Sequence, residues 1–184
     1  RHELNKNLIK IDLAVEADAG DFLKQLEKFL PKKMPDISQW RERCQKWRKK
    51  YPVMLPEYKT NTCRVNSYFF IESLCKELAE GDIAVTDMGT SLTCTMQTFS
   101  VKKGQRLLTN SGLASMGFGL PATIGAWFGR PNKSLIRIIG IYGDGGFQMN
   151  IQELQTIFHY NIPAKIFILN NESYLTLKHT QEMF

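Results

Sequence analysis

Leu135-Ile136-Arg137-Ile138-Ile139-Gly140-Ile141-Tyr142-Gly143-Asp144-Gly145-Gly146 is the stretch that decides the fold. Its β-branched isoleucines favour an extended, buried strand over a helix. The strand stops where glycines frame Asp144 and admit a tight turn. Downstream, Ile151-Gln152-Glu153-Leu154-Gln155-Thr156-Ile157-Phe158 carries helical periodicity. Ala164-Lys165-Ile166-Phe167-Ile168-Leu169 then reads as another buried strand and runs into Asn170-Asn171. Strand, helix and strand joined by short turns make a βαβ unit of a parallel sheet. Upstream, Gly129-Arg130-Pro131-Asn132-Lys133 is the turn before the first of these strands. A glycine-rich segment spans Gly112 to Gly129, and Ile83-Ala84-Val85-Thr86-Asp87 is a further short strand. The fold class is therefore α/β, a parallel sheet with helices on both faces.

The front of the chain has a different texture. Leu8-Ile9-Lys10-Ile11-Asp12-Leu13 reads as a strand, and a helix begins near Asp21 with Asp18 or Asp21 available as its cap. One strand and one helix cannot bury a core alone, so residues 1–30 read as the end of a preceding domain. Pro31, Pro35, Pro52 and Pro56 punctuate a linker over residues 31–60. Inside it Ile37, Trp40, Cys44 and Trp47 recur at helical spacing beside Arg41, Arg43, Lys46, Arg48, Lys49 and Lys50. That is an amphipathic helix with a solvated basic face. A second amphipathic helix is expected from about Val65 to Ala79, with Phe69, Phe70, Leu74 and Leu78 on its apolar side. Residues 61–184 form the main domain, read as incomplete at its carboxyl end.

Composition narrows the class. The chain has 184 residues, 43% hydrophobic and 23% charged, which excludes a disordered tail, a collagen-like fibre and a rod. Lys plus Arg exceeds Asp plus Glu by 24 − 18 = 6, but no aromatic or glycine-rich RNA motif accompanies the basic stretch, so no nucleic-acid partner is expected. Cys44, Cys63, Cys75 and Cys94 form no C-x-x-C pair, so neither a disulfide scaffold nor a zinc site is expected. No apolar run approaches the roughly 20 residues of a membrane span, and no signal peptide is read at Arg1-His2-Glu3-Leu4. The expected location is the cytoplasm.

Parallel sheets place ligands at the carboxyl ends of their strands. Gly143-Asp144-Gly145-Gly146 and Asn170-Asn171 are two such ends, and the 24 residues from 146 to 169 between them span one helix plus one strand. Both should lie on one rim. A carboxylate, an amide oxygen and loop carbonyls are hard donors suited to Mg²⁺, which often completes its shell with phosphate oxygens and water. Amides of Gly145 and Gly146 at a helix start can face an anion. These residues describe a Mg²⁺–diphosphate site.

Gly143-Asp144-Gly145, the 24-residue spacing and Asn170-Asn171 together resemble the thiamine diphosphate-binding motif. The segments Gly145–Leu154 and Gly112–Ala122 resemble the acetolactate synthase-like branch of that family. Residues 1–30 look like the tail of its middle domain. The resemblance implies Asp144 and Asn171 as side-chain Mg²⁺ ligands and Ser173 as a backbone-carbonyl ligand. It implies that Gly143, Gly145 and Gly146 surround the diphosphate, with the Gly89-Thr90-Ser91 loop on its other side. Met116 matches the bulky residue that bends the cofactor, and is the catalytic candidate. The Ala114 carbonyl would hold the cofactor's amino group. The glutamate that serves the pyrimidine ring in this family has no counterpart here, so this chain alone is expected to be inactive.

The same resemblance implies decarboxylation of a 2-keto acid and transfer of a two-carbon unit to a carbonyl acceptor, in a homodimer or tetramer with the Gly112–Gly129 segment at its interface. FAD, a possible second cofactor, is left open by these residues. Leu175-Thr176 and Thr180 depart from the Gly-Met and Trp of typical acetolactate synthases. The alternatives are a simple 2-keto acid decarboxylase and a non-catalytic cofactor-binding module. A dinucleotide-binding domain is disfavoured, because Gln148 stands where G-x-G-x-x-G needs its last glycine. His159, His179 and Glu153 read as surface or packing residues.

Overall fold

The computed structural model describes residues 10–31, 35–60, 63–130 and 136–184. The chain divides into two compact units, Arg1–Tyr51 and Pro52–Phe184.

The first unit holds two helices, α1 (Ala19–Phe29) and α2 (Ser38–Lys50). Asp18 caps α1 by accepting the Gly20 and Asp21 N–H groups, which otherwise have no partner within the helix. Trp40 and Trp47 meet edge to face at 5.7 Å, and the Arg43 guanidinium lies over the Trp47 ring. The basic side chains of α2 are exposed, as a solvated face requires. The strand expected over residues 8–13 is not formed in its described part, since residues 10–13 are irregular and exposed. Among the described residues no strand pairs with this segment, and an unpaired apolar run does not make a sheet. Residues 8 and 9 lie outside the described residues, as does most of the turn expected at Gly129–Lys133.

The second unit begins with a 3₁₀ turn at Pro56–Lys59 and α3 (Ser67–Glu77). Asn66 caps α3 from the Tyr68 and Phe69 amides. The sheet is formed by β1 (Ile83–Thr86), β2 (Arg106–Leu108), β3 (Ile138–Gly143) and β4 (Lys165–Leu169). All of its pairings are parallel, in the order β2-β1-β3-β4. α4 (Thr90–Thr98) connects β1 to β2, and α5 (Gly119–Gly129) precedes β3. Between β3 and β4 run α6 (Asp144–Met149), a 3₁₀ turn at Ile151–Glu153 and α7 (Leu154–His159), and α8 (Leu175–Met183) follows β4.

Alternation along β3 builds two cores. Ile139 and Ile141 point to one face and pack with Ile71, Leu74 and Cys75 of α3 and Cys94 of α4. Ile138 points to the other, with Ile83 and Val85 of β1 and Ala126 of α5. Full burial of a side chain such as Ile71 or Ile141 stabilises by about 1.5–3 kcal/mol. The most buried residue of α3 is Ile71, while Phe69 and Phe70 are only half-buried. Tyr142, also on β3, is fully buried, and its hydroxyl meets the Thr123 hydroxyl of α5. Its ring fills the space beside Gly119 and Gly140, where a Cβ would overlap it.

β4 was expected to be buried and is not: Ile168 is 43% exposed. It pairs with β3 on one side only, and an edge strand keeps its outer side open. Among the described residues, no helix is long and apolar enough to cross a membrane.

Candidate functional site

Chain progress reverses between β1 and β3. From β1 it moves outward to β2, and from β3 it moves the other way to β4. The connecting helices therefore leave the central pair in opposite directions, opening a crevice at its carboxyl end. The register sets which residues reach it. Gly143 pairs with Leu169, so Asp144 and Asn170 are the first residues beyond the paired ladder. The spacing read from the sequence does bring the acidic and amide loops to one rim.

A cavity of about 260 Å³ lies there. Met88, Gly89 and Thr90 line it from the loop after β1. Gly89 adopts φ +83, ψ −145, a conformation essentially reserved for glycine. Ala114 and Met116 line it from the turn before α5, and Ala114 holds a left-handed φ of +55. Gly143, Asp144, Gly145 and Gly146 contribute the third wall, Asn171 and Ser173 the fourth. Tyr174, Leu175, Thr176 and Leu177 complete the lining at the start of α8. Ser91 does not line it. One position into α4, the helix turns this side chain inward, where its hydroxyl donates to the Asp87 and Met88 carbonyls.

The amide loop is internally ordered. Asn170 Oδ1 accepts the Glu172 N–H, and Asn171 Oδ1 accepts the Ser173 N–H at 3.2 Å. The Tyr174 ring covers Gly145 so closely that a Cβ there would overlap it. Among the described residues, no three His, Cys, Asp or Glu side chains gather into a metal-holding group. The lining residues offer one carboxylate, one side-chain amide, the hydroxyls of Thr90, Ser173, Tyr174 and Thr176, and backbone carbonyls.

Two larger grooves, of about 620 and 630 Å³, flank β4. The first is mainly apolar and lies by Arg137 and Lys165, at the amino ends of β3 and β4. The second follows the open side of β4 from Phe167 to Glu172. Neither sits at the reversal of strand order, which is where this architecture binds ligands. His159 packs edge to face on Tyr160, and Glu153 accepts from the Thr156 hydroxyl. His159, His179 and Glu153 do not line the cavity.

Sequence reasoning misses Met88, which lines the cavity, and Asp87, which reads only as the end of a strand. Asp87 is 1% exposed. Its Oδ1 accepts the Met88 N–H at 2.8 Å and its Oδ2 the Gly117 N–H at 3.0 Å. A Cβ on Gly146 would stand 2.5 Å from Oδ2. The available signal was an acidic residue directly after a mainly apolar strand, Ile83-Ala84-Val85-Thr86, at the ligand end of the sheet.

The family described as "Thiamine pyrophosphate enzyme, C-terminal TPP binding domain" matches residues 87–184, and the chain belongs to it. It is 34% identical to the acetolactate synthase large subunit of Pyropia yezoensis over 186 residues, 99% of this chain and 30% of that protein. The large subunit of Lactococcus lactis is also 34% identical, over 183 residues with the same coverage. Acetolactate synthase 2, chloroplastic, of Nicotiana tabacum is 39% identical over 138 residues, 74% of this chain and 20% of that protein. The chain thus spans about 30% of the length of the first two relatives.

Proposed function

We propose that this chain supplies the diphosphate half of the active site of a thiamine diphosphate- and Mg²⁺-dependent enzyme. That enzyme decarboxylates a 2-keto acid and passes a two-carbon unit to a carbonyl acceptor. The observation that carries the reading is the Gly143–Leu169 register, which sets Asp144 and Asn171 on the walls of one cavity. Family membership supports the cofactor, and the relatives' names support the acetolactate synthase-like reaction.

The donor set fits the metal. Asp144, Asn171 and the Ser173 carbonyl are oxygen donors only, and a single carboxylate suits an ion that keeps phosphate and water ligands. The walls fit a diphosphate, since Gly143 carries open space and Gly145 and Gly146 bring backbone amides to the cavity. The volume of about 260 Å³ is below the roughly 300–1,000 Å³ of complete ligand sites, which supports a half-site completed by another domain. Residues 1–30 as the tail of a middle domain, and a homodimer or tetramer, belong to the same proposal.

When bound, thiamine diphosphate supplies an acidic ring carbon and the electron sink for decarboxylation. Asp144 and Asn171 would hold the ion, and Gly89, Thr90, Gly145 and Gly146 would face the diphosphate end. Met116 would pack against the cofactor and set its shape, and the Ala114 carbonyl would accept from its amino group. Thr176 and Leu177, at the start of α8, bound the substrate side and stand where acceptor size would be decided.

The test is a thiamine diphosphate titration of the full-length protein with and without EDTA. Asp144→Ala is expected to abolish the Mg²⁺-dependent part of binding, and unchanged affinity would count against the assignment. Product analysis with pyruvate and a second keto acid separates carboligation from plain decarboxylation.

A further inference from the structure

Asp87 connects three cavity loops that are far apart in sequence. It directly follows β1 and accepts the N–H of Met88, the residue before Gly89. Through Oδ2 it accepts the N–H of Gly117, the residue after Met116. The same oxygen lies against Gly146, next to Gly145 of the acidic loop. Gly117 is held from its other side as well, because Asn150 Nδ2 donates to its carbonyl at 2.8 Å. Gly117 has φ +82, and a Cβ on it would stand 2.9 Å from both Asn150 Nδ2 and the Met149 Cβ. Gly117, the residue following Met116, is therefore held at both its N–H and its C=O by side chains from just past β1 and just past α6. The Gly117 N–H and its acceptor oxygen are both buried, so removing that acceptor leaves the amide without a partner.

We infer that Asp87 is a positioning residue: with Asn150 it clamps Gly117 and so presets Met116 against the Gly143–Gly146 loop before any cofactor arrives. This rests on the reading of the cavity as the thiamine diphosphate site. The clamp acts through Met116, and Asp87 touches no reacting atom. Asparagine at this position keeps the shape but replaces one acceptor oxygen with an NH₂ donor, which faces an N–H with another N–H. A displacement of the order of 1 Å at a catalytic group costs up to about 100-fold in rate.

The experiment uses the full-length protein and its Asp87→Asn variant, with three readouts. Amide hydrogen exchange is measured at Gly117 without cofactor. The dissociation constant for thiamine diphosphate with Mg²⁺ is measured by titration, and turnover of a 2-keto acid is measured at saturating cofactor. The expected result is at least about tenfold faster exchange at Gly117, affinity within about threefold of the parent, and turnover lowered by about 100-fold. Unchanged exchange at Gly117 overturns the inference, and so does a loss of turnover that added cofactor restores. If Asp87→Asn fails to fold, Asn150→Ala removes the other half of the grip. It should give the same split between turnover and affinity at smaller amplitude, and normal turnover there also overturns the inference. Failure of the unsubstituted protein to bind thiamine diphosphate would sink the functional reading, while the Gly117 exchange would still decide the clamp.

Discussion

β1 has a buried aspartate at each end, and the two carboxylates are satisfied in different ways. Asp82, just before the strand, is ion-paired. Arg137 donates to it from Nε at 3.0 Å and from Nη2 at 2.6 Å, and the backbone amides of Ala79 and Arg137 add two more bonds. The pairing holds the Arg137 guanidinium above its usual value, chiefly through the hydrogen bond to Asp82. Asp87, just after the strand, accepts from two loop amides and has no ion pair among the described residues. Asp82 fastens the end of α3 to the start of β3, so its bonds serve stability. Asp87 fastens loops to one another around a cavity, so its bonds serve geometry. One strand thus separates the two uses of a buried carboxylate.

The largest expected effect breaks the amino end. Asp82→Ala leaves the part-buried amides of Ala79 and Arg137 and a half-exposed guanidinium without their acceptor. It should cost about 3 kcal/mol, with the value for a fully buried pair reduced for Arg137's contact with water. A urea unfolding midpoint reads this, and turnover per folded molecule should stay within about twofold. A turnover loss as large as that expected for Asp87→Asn would erase the contrast.

A smaller effect reads each end through its own thiol. Cys75 lies on α3, near the Asp82 corner, and Cys94 on α4, just past the cavity loop; both are buried, whereas Cys44 and Cys63 are exposed. Burial pushes both inner thiols up, with the Ser100 N–H pulling weakly the other way at Cys75. Each therefore ionises later in the folded chain than in the unfolded one. Their contribution to stability is complete below the unfolded pKa of about 8.5 and is lost as pH rises through the raised folded value. The unfolding midpoint should be flat to about pH 8 and fall above it. With iodoacetamide at pH 7.5, Cys44 and Cys63 should label first. Asp82→Ala should speed Cys75 labelling more than Cys94, and Asp87→Asn the reverse, as peptide mass spectrometry would show.

The smallest effect concerns backbone strain at the cavity. Ala114→Gly relieves a left-handed alanine but frees the unfolded chain, so stability should change by less than about 1 kcal/mol. Cofactor affinity within about twofold would show that this loop is set by the Gly117 clamp rather than by Ala114 itself.

The isoleucine run before Gly143 and the Asn pair after Leu169 were legible because their spacing fixes a strand register, and register decides which loops share a rim. β2 was not legible: Arg106-Leu107-Leu108 is three residues with no β-branched run, and only its partner β1 makes it a strand. The open side of β4 escaped for another reason, since apolar patterning reports the faces of a strand and is silent about its edges. Ser91 was read from its neighbours in sequence, whereas a helix advances about 100° per residue and turned it away from Thr90. Asp87 was visible as a letter, but the amides that give it meaning come from positions 88 and 117, and the latter is brought to it only by the folded chain.

The all-parallel pairing also has a consequence in time. The nearest partners in sequence, Ile83 and Arg106, are 23 positions apart, and Ile83 and Ile138 are 55 apart. Distant pairings of this kind form slowly, and the cavity's walls are drawn from the ends of three such strands. The pocket is thus expected to form only once these distant pairings are in place. Whatever it binds becomes a late-arriving lock, holding the finished sheet shut by mass action.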